Sequence, residues 1–316
     1  MRIRLSCRLG AALVMLVCVA GAQAQGAPKC DNACLKKLVD SYFVALVAHD
    51  PSRVPIAPAA KFVENVTPTK VGEGLWKTAS EVPTTFKIYV PDPVAQQVGF
   101  IGVLKEQGKP IEIGLRLKLA ADGKIAEIEH VVVHMLRDNV LDNLKTPRPA
   151  FLAAVPAGDR MSREDMLKDA SRYYEAIVTS NGKAAPFASD CVRRENGIQT
   201  SGNPPPPQPG RETMGAMGCS DQLDTGVMSY IKRIEPRRVW IADVEHGLVF
   251  GLSQFRHPMK ERVLKIVGVP GVDHQDMNFE PFDLPAAHVF KVQGGRIHEI
   301  EALGFMAPYN AKTGWE

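Results

Sequence analysis

GKIAEIE at residues 123–129 and GRIHEIE at residues 295–301 are one strand written twice. In each, a turn glycine opens a short run that mixes isoleucines with glutamates, the pattern of a strand leaving a tight turn. The match extends upstream: Glu64-Asn65 answers Glu195-Asn196, Pro55 answers Pro186, Leu46 answers Ile177, Ala45 answers Ala176 and Tyr42 answers Tyr173. The offset is 131 at Tyr42 and Tyr173 and 172 at Glu129 and Glu301, so the second copy has gained 41 residues. Most fall in the proline-rich stretch SGNPPPPQPGRETMGAMG and in the segment from about Met259 to Phe282.

Each copy opens on an amphipathic helix. Leu35, Leu38, Val39, Tyr42 and Leu46 share one helical face, as do Leu167, Ala170, Tyr173, Ile177 and Val178. Ser162 with Asp165 three residues on is a capping start. Strands follow: TFKIYV, QVGFIGVL, IEIGLRLKL and KIAEIEHVVV in the first copy, RRVWIADV, GLVFGLSQF, AAHVFKV and RIHEIEALGF in the second. A helix followed by a meander predicts an α+β plan in which a curved antiparallel sheet wraps its helix. The expected domains are 30–137 and 161–309, the second with the proline-rich insertion, joined by a connector over 138–160. Exposed apolar sheet surface on both would let them pair as an intramolecular pseudo-dimer.

Residues 1–25 carry three arginines, a short apolar run and the ending Ala22-Gln23-Ala24, the pattern of a cleavable signal peptide. The expected location is periplasmic or secreted, with no membrane attachment after cleavage. Loss of Arg2, Arg4 and Arg8 leaves 35 basic residues facing 35 acidic ones, which removes the basic excess that nucleic-acid binding needs. Cys30, Cys34, Cys191 and Cys219 remain, an even number for an oxidising compartment. Three pairings are possible on paper; the reading favours Cys30–Cys34 and Cys191–Cys219, one in each copy, with a zinc site as the alternative. The longer loop would contribute about 3 kcal/mol.

The opening helix, DPSRVPIAPAAKFVEN, KVGEGLW, CVRRENGIQT, ADVEHGLVFGLSQFRHP and FDLPAAHVFKVQGGRIHEIEA together resemble the nuclear-transport-factor-2-like superfamily, also called SnoaL-like or cystatin-like. The resemblance covers nearly all of the mature chain and is closer to a tandem-domain exported group. It implies two tandem cone-shaped α+β barrels, each with a mouth suited to a small apolar ligand. The activities it implies range over isomerases, dehydratases, cyclases and lyases, and include members that only bind.

Such a pocket needs an inward acid or histidine whose apolar neighbours shift its pKa. His288 shares a strand face with Phe290 and Val292, where the first copy has Leu115, Leu117 and Leu119. It is either a buried histidine satisfied by a carbonyl or a pocket base. Asp243 and His257 bracket a strand pair; Asp92 in the first copy gives Asp243 a turn role as its alternative, and His257 is placed at the surface or in a pocket. Glu195, like Glu64, serves the shared fold or a pocket mouth, and Glu301, like Glu129, invites the same two readings. Tyr173 packs in the core with its hydroxyl at the rim.

His130 and His134 would stand about 13 Å apart along a strand, too far to share a metal. His298, opposite Ala126, is placed at the surface. No nucleophile elbow, Walker loop or dinucleotide fingerprint is present. The expected catalytic set is His288, Asp243, His257 and Glu195, with Tyr173 and Glu301 contacting ligand and no metal or cofactor. The function expected is a cofactor-independent lyase, isomerase or dehydratase working by general acid–base chemistry on a small, partly apolar molecule. The alternative is a non-catalytic exported protein that binds a small molecule or docks a partner.

Overall fold

The computed structural model describes residues 29–134 and 136–316. The proposed signal segment lies outside them. The first sheet contains β1 (Ile56–Glu64), β2 (Thr67–Thr69), β3 (Ala79–Glu81), β4 (Lys87–Asp92), β5 (Gln97–Glu106), β6 (Lys109–Leu119) and β7 (Ile125–Val133). The second contains β8 (Phe187–Glu195), β9 (Ile198–Ser201), β10 (Arg233–Asp243) and β11 (Leu248–His257), then, beyond a separate hairpin of β12 (Val263–Val269) and β13 (Val272–Asp276), β14 (Phe282–Gln293), β15 (Arg296–Gly304) and β16 (Ala307–Pro308). The architecture is two tandem α+β cones, each built on a seven-stranded sheet.

A long helix fills each cone: Asn32–Val47 in the first and Arg163–Thr179 in the second. The second starts where the capping pattern puts it, with Ser162 accepting from the Asp165 amide. Its Met166, Ala170, Tyr173, Tyr174 and Ile177 are buried against the sheet. The sheets are antiparallel except at one seam in each cone, where β1 runs parallel to β7 and β8 parallel to β15. That seam puts Glu64 opposite His130 and Glu195 opposite Ala302, so the repeated Glu-Asn pair ends the same strand in both cones.

The outer faces of the two sheets pack on each other. Ile88, Ile101 and Val131 of one sheet form a common core with Phe250, Ala287, Val289 and Leu303 of the other. Glycines make the approach possible. A Cβ on Gly99 would lie 2.2 Å from the Phe250 ring, and one on Gly114 2.6 Å from the Ala287 methyl. Charged pairs flank this core: Arg238 grips both oxygens of Glu129 at 2.5 and 2.7 Å, and Arg163 donates to Asp92 at 2.8 Å. The segment between the cones contributes Val140, Leu144 and Phe151 to the same core. Cys30 pairs with Cys34, and Cys191 with Cys219, with Cα–Cα distances of 5.2 and 5.6 Å. None of the described helices is long and apolar enough to cross a membrane.

Candidate functional site

A cavity of about 190 Å³ opens inside the second cone. The helix contributes Tyr173 and Ile177, β8 contributes Glu195, β11 contributes Phe255 and His257, β14 contributes His288, and β15 contributes Ala302. Met228, Tyr230 and Ile231, from the segment that follows the proline-rich insertion, complete the wall together with Phe282. Four of the residues singled out from sequence therefore meet here: His288, His257, Glu195 and Tyr173.

Both histidines are held in aromatic surroundings. His288 is 3% exposed and stacks on Phe255 and Phe290, each at 5.6 Å, with Tyr173 at the same distance. Burial lowers its pKa to about 3, with the Arg193 charge adding to the effect. His257 lies flat on Phe282 at 4.2 Å, and burial takes its pKa down to about 4. Both rings are neutral near pH 7, and among the described residues neither Nδ1 has a hydrogen-bond partner. Tyr173 and Tyr230 are pushed up to about 12 by burial, so their hydroxyls stay protonated donors.

Beneath this wall lies Arg193, a buried cation that sequence reading missed. Its Nε donates to Thr200 Oγ1 at 3.0 Å and pairs with Glu195 at 2.8 Å. One Nη2 hydrogen goes to Gln222 Oε1. Gln222 is fixed in turn by its own donations to the Thr200 and Met214 carbonyls. The Cys191–Cys219 pair ties β8 to the short helix Cys219–Asp224 that carries Gln222. Glu195 keeps 41% of its side chain exposed, at the rim.

The first cone is arranged differently at the same places. Tyr42 donates to His130 Nε2 at 2.9 Å, and His130 Nδ1 faces Glu64 at 3.0 Å. With Glu64 accepting the Nδ1 proton, Nε2 is left to accept the Tyr42 hydroxyl. Glu64 also accepts from the Leu75 amide at 3.1 Å, and buried Trp76 stands edge-on to Tyr42 at 5.2 Å.

Sheet register explains the change. In the first sheet Leu115 lies opposite His130; in the second His288 lies opposite Ala302. The histidine has moved one strand across, and an alanine stands where it was. Phe62, which packs on His130 at 4.8 Å, has Arg193 as its counterpart at the offset of 131. That exchange of phenylalanine for arginine is the one signal in the repeat alignment that could have pointed to Arg193.

Two expected site residues lie elsewhere. Asp243 is a turn residue: its Oδ1 accepts the Glu245 and His246 amides at 3.0 and 3.2 Å, and its Oδ2 meets His246 Nδ1 at 2.8 Å. Asp92 accepts the Val94 and Ala95 amides in the same way. Asp243, Glu245 and His246 lie close enough together to hold a metal ion. Lys291, on which the Asp243 charge acts, already places an ammonium beside this group, donating to the His246 carbonyl at 2.7 Å. Glu301 is fully buried between the two sheets, 3.3 Å from Arg148, on the face of β15 opposite the cavity. The structure does not bring either residue to the pocket wall. His298 sits at the periphery, paired with Asp190 at 2.8 Å.

A family model described as a domain of unknown function (DUF8021) matches residues 159–304. No curated protein matches the chain. Solved structures similar to it include a polyketide cyclase candidate from Xanthomonas campestris pv. campestris, with 16% identity over 45% of this chain and 90% of that one and a TM-score of 0.29. A second candidate, from Silicibacter sp. TM1040, shares 10% identity over 46% and 92%, with a TM-score of 0.28. A SnoaL-like polyketide cyclase candidate from Jannaschia sp. CCS1 shares 10% over 46% and 89%, again with 0.28. Each spans less than half of this chain.

Proposed function

We propose that the protein is an exported small-molecule receptor whose second cone holds one partly apolar molecule, while the first cone serves as a scaffold paired with it back to back. One observation carries this reading. Among the described residues, a cone interior of about 190 Å³ is open beside His288, Ala302 and Tyr230, whereas the first cone carries the hydrogen-bonded Tyr42–His130–Glu64 chain and the buried Trp76. A cavity of about 150 Å³ suffices for benzene, so the space suits a single ring or its equivalent. The paired cysteines support export, since such pairs persist in oxidising compartments.

A catalytic version of the same reading rests on Glu195. Histidines with pKa values near 3 and 4 are poor bases at neutral pH, whereas Glu195 is the one carboxylate among the residues lining the cavity. General-base work on a bound molecule would fall to it.

The test is native mass spectrometry of the exported protein after incubation with cell extract, beside an Ala286→Phe variant that fills the cavity. A small molecule retained by the natural protein and absent from the variant is expected. Equal retention by both, or by neither, would dismiss the pocket. A Glu195→Gln variant that keeps the molecule but loses its turnover would establish the catalytic version.

A further inference from the structure

The geometry points to a monocarboxylate attached to a small ring as the ligand class of the second cone, gripped by Arg193 between the hydroxyls of Tyr173 and Tyr230. This rests on the cavity being the binding site and specifies what it selects.

The second cone carries an unusual replacement. A strand position that carries an apolar ring in the first cone carries a fully buried guanidinium in the second. Burying a cation is costly unless its donors are used. Nε and Nη2 are occupied by Thr200, Glu195 and Gln222, while Nη1 makes no well-formed hydrogen bond among the described residues and has only the nearby Tyr173 hydroxyl as a weak acceptor for the guanidinium. The Arg193 charge acts on His288 and on both tyrosine hydroxyls, all of which line the cavity. The free donor therefore lies just behind a wall in which Glu195 is the one charged group, next to the Tyr173 and Glu195 side chains that line the cavity.

Glu195 shows which chemistry that guanidinium accepts. It already offers Arg193 one carboxylate oxygen from the rim, through a single contact at 2.8 Å and with 41% of its side chain in solvent. A ligand carboxylate reaching Nη1 from inside would complete the fork that a guanidinium presents to carboxylates. Glu195 then competes with the ligand for the same cation. The near-parallel rings of His257, Phe255 and Phe282 give the remainder of the molecule an aromatic face on the cavity wall.

The test uses the full-length exported protein with three probes of one size: benzoate, benzamide and benzyl alcohol. Binding is followed by the histidine ring signals in NMR and by calorimetry. Benzoate should bind about tenfold more tightly than benzamide, the advantage expected of a charge-assisted bond over a neutral one. Glu195→Gln should tighten benzoate further and leave benzamide unchanged. Arg193→Met should erase the preference for benzoate; if that variant fails to fold, the Glu195→Gln comparison decides. Benzamide binding as tightly as benzoate, or Glu195→Gln weakening benzoate, overturns the ligand class and leaves the cavity standing. Failure of all three probes to move the His257 and His288 signals removes the cavity as a binding site, and this inference with it.

Discussion

Replacing Glu301 with glutamine should make the protein progressively more stable than its parent as pH rises. Glu301 is fully buried between the sheets, and one of its oxygens has no partner among the described residues. The charges that act on it are those of Arg148, Arg194 and Glu299, and its own charge acts in turn on Glu112 of the facing sheet. Desolvation outweighs the attraction of Arg148 and raises its pKa from 4.5 to about 7. The folded state thus holds a proton that the unfolded chain releases near pH 4.5. The associated stability is fully present below that pH and is lost as pH climbs through about 7. At 1.36 kcal/mol for each unit of pKa difference, the loss is roughly 3 kcal/mol. A protonated carboxyl and a glutamine amide have nearly the same shape, so the variant should start close to its parent at pH 4.5 and exceed it by about that amount at pH 8. Urea unfolding followed by tryptophan fluorescence across this range, with disulfides intact, measures the difference directly. A gap between the two proteins that stays constant with pH would refute the reasoning.

His288→Leu installs the residue of the first cone. His288 is neutral in the fold and charged in the acidified unfolded chain, so its contribution is present above pH 6.5 and is lost as pH falls towards about 3. Between pH 6.5 and 4.5 the parent should lose roughly 2 kcal/mol relative to the variant, measured by urea unfolding at each pH. Gly114→Ala should cost about 1–3 kcal/mol in the same assay, because the new methyl meets Ala287 across the sheet interface. Replacing Cys191 and Cys219 together by serine should cost about 2–4 kcal/mol and should also weaken the ligand measured in the probe assay, since Gln222 loses its anchor.

The fold was legible because the chain repeats itself: the two offsets aligned helices and strands that the structure pairs in matching registers. His288 was legible for the same reason, as a histidine on a strand face that is leucine in the other copy. Arg193 was hidden by chemistry. An arginine in a strand reads as outward-facing, and its burial depends on Gln222, which arrives from the segment just after the proline-rich insertion. Tyr230 lies in that segment too. Glu301 failed as a pocket residue because the register of β15 shifts between Ile297 and Glu299, which turns Ile300 and Ala302 inward and Glu301 outward. The outer face holding Glu112, Arg116 and Glu301 has the polar look of a solvated surface. Only the second sheet reveals that it is an interior.

The Cys191–Cys219 link sets an order of assembly. It holds Gln222 under Arg193, and Arg193 in turn lies beneath the cavity wall. A chain kept reduced would possess both cones but would lose the covalent tie between β8 and the helix that carries Gln222. On the proposed reading of an exported receptor, ligand capture would then mature only after oxidation.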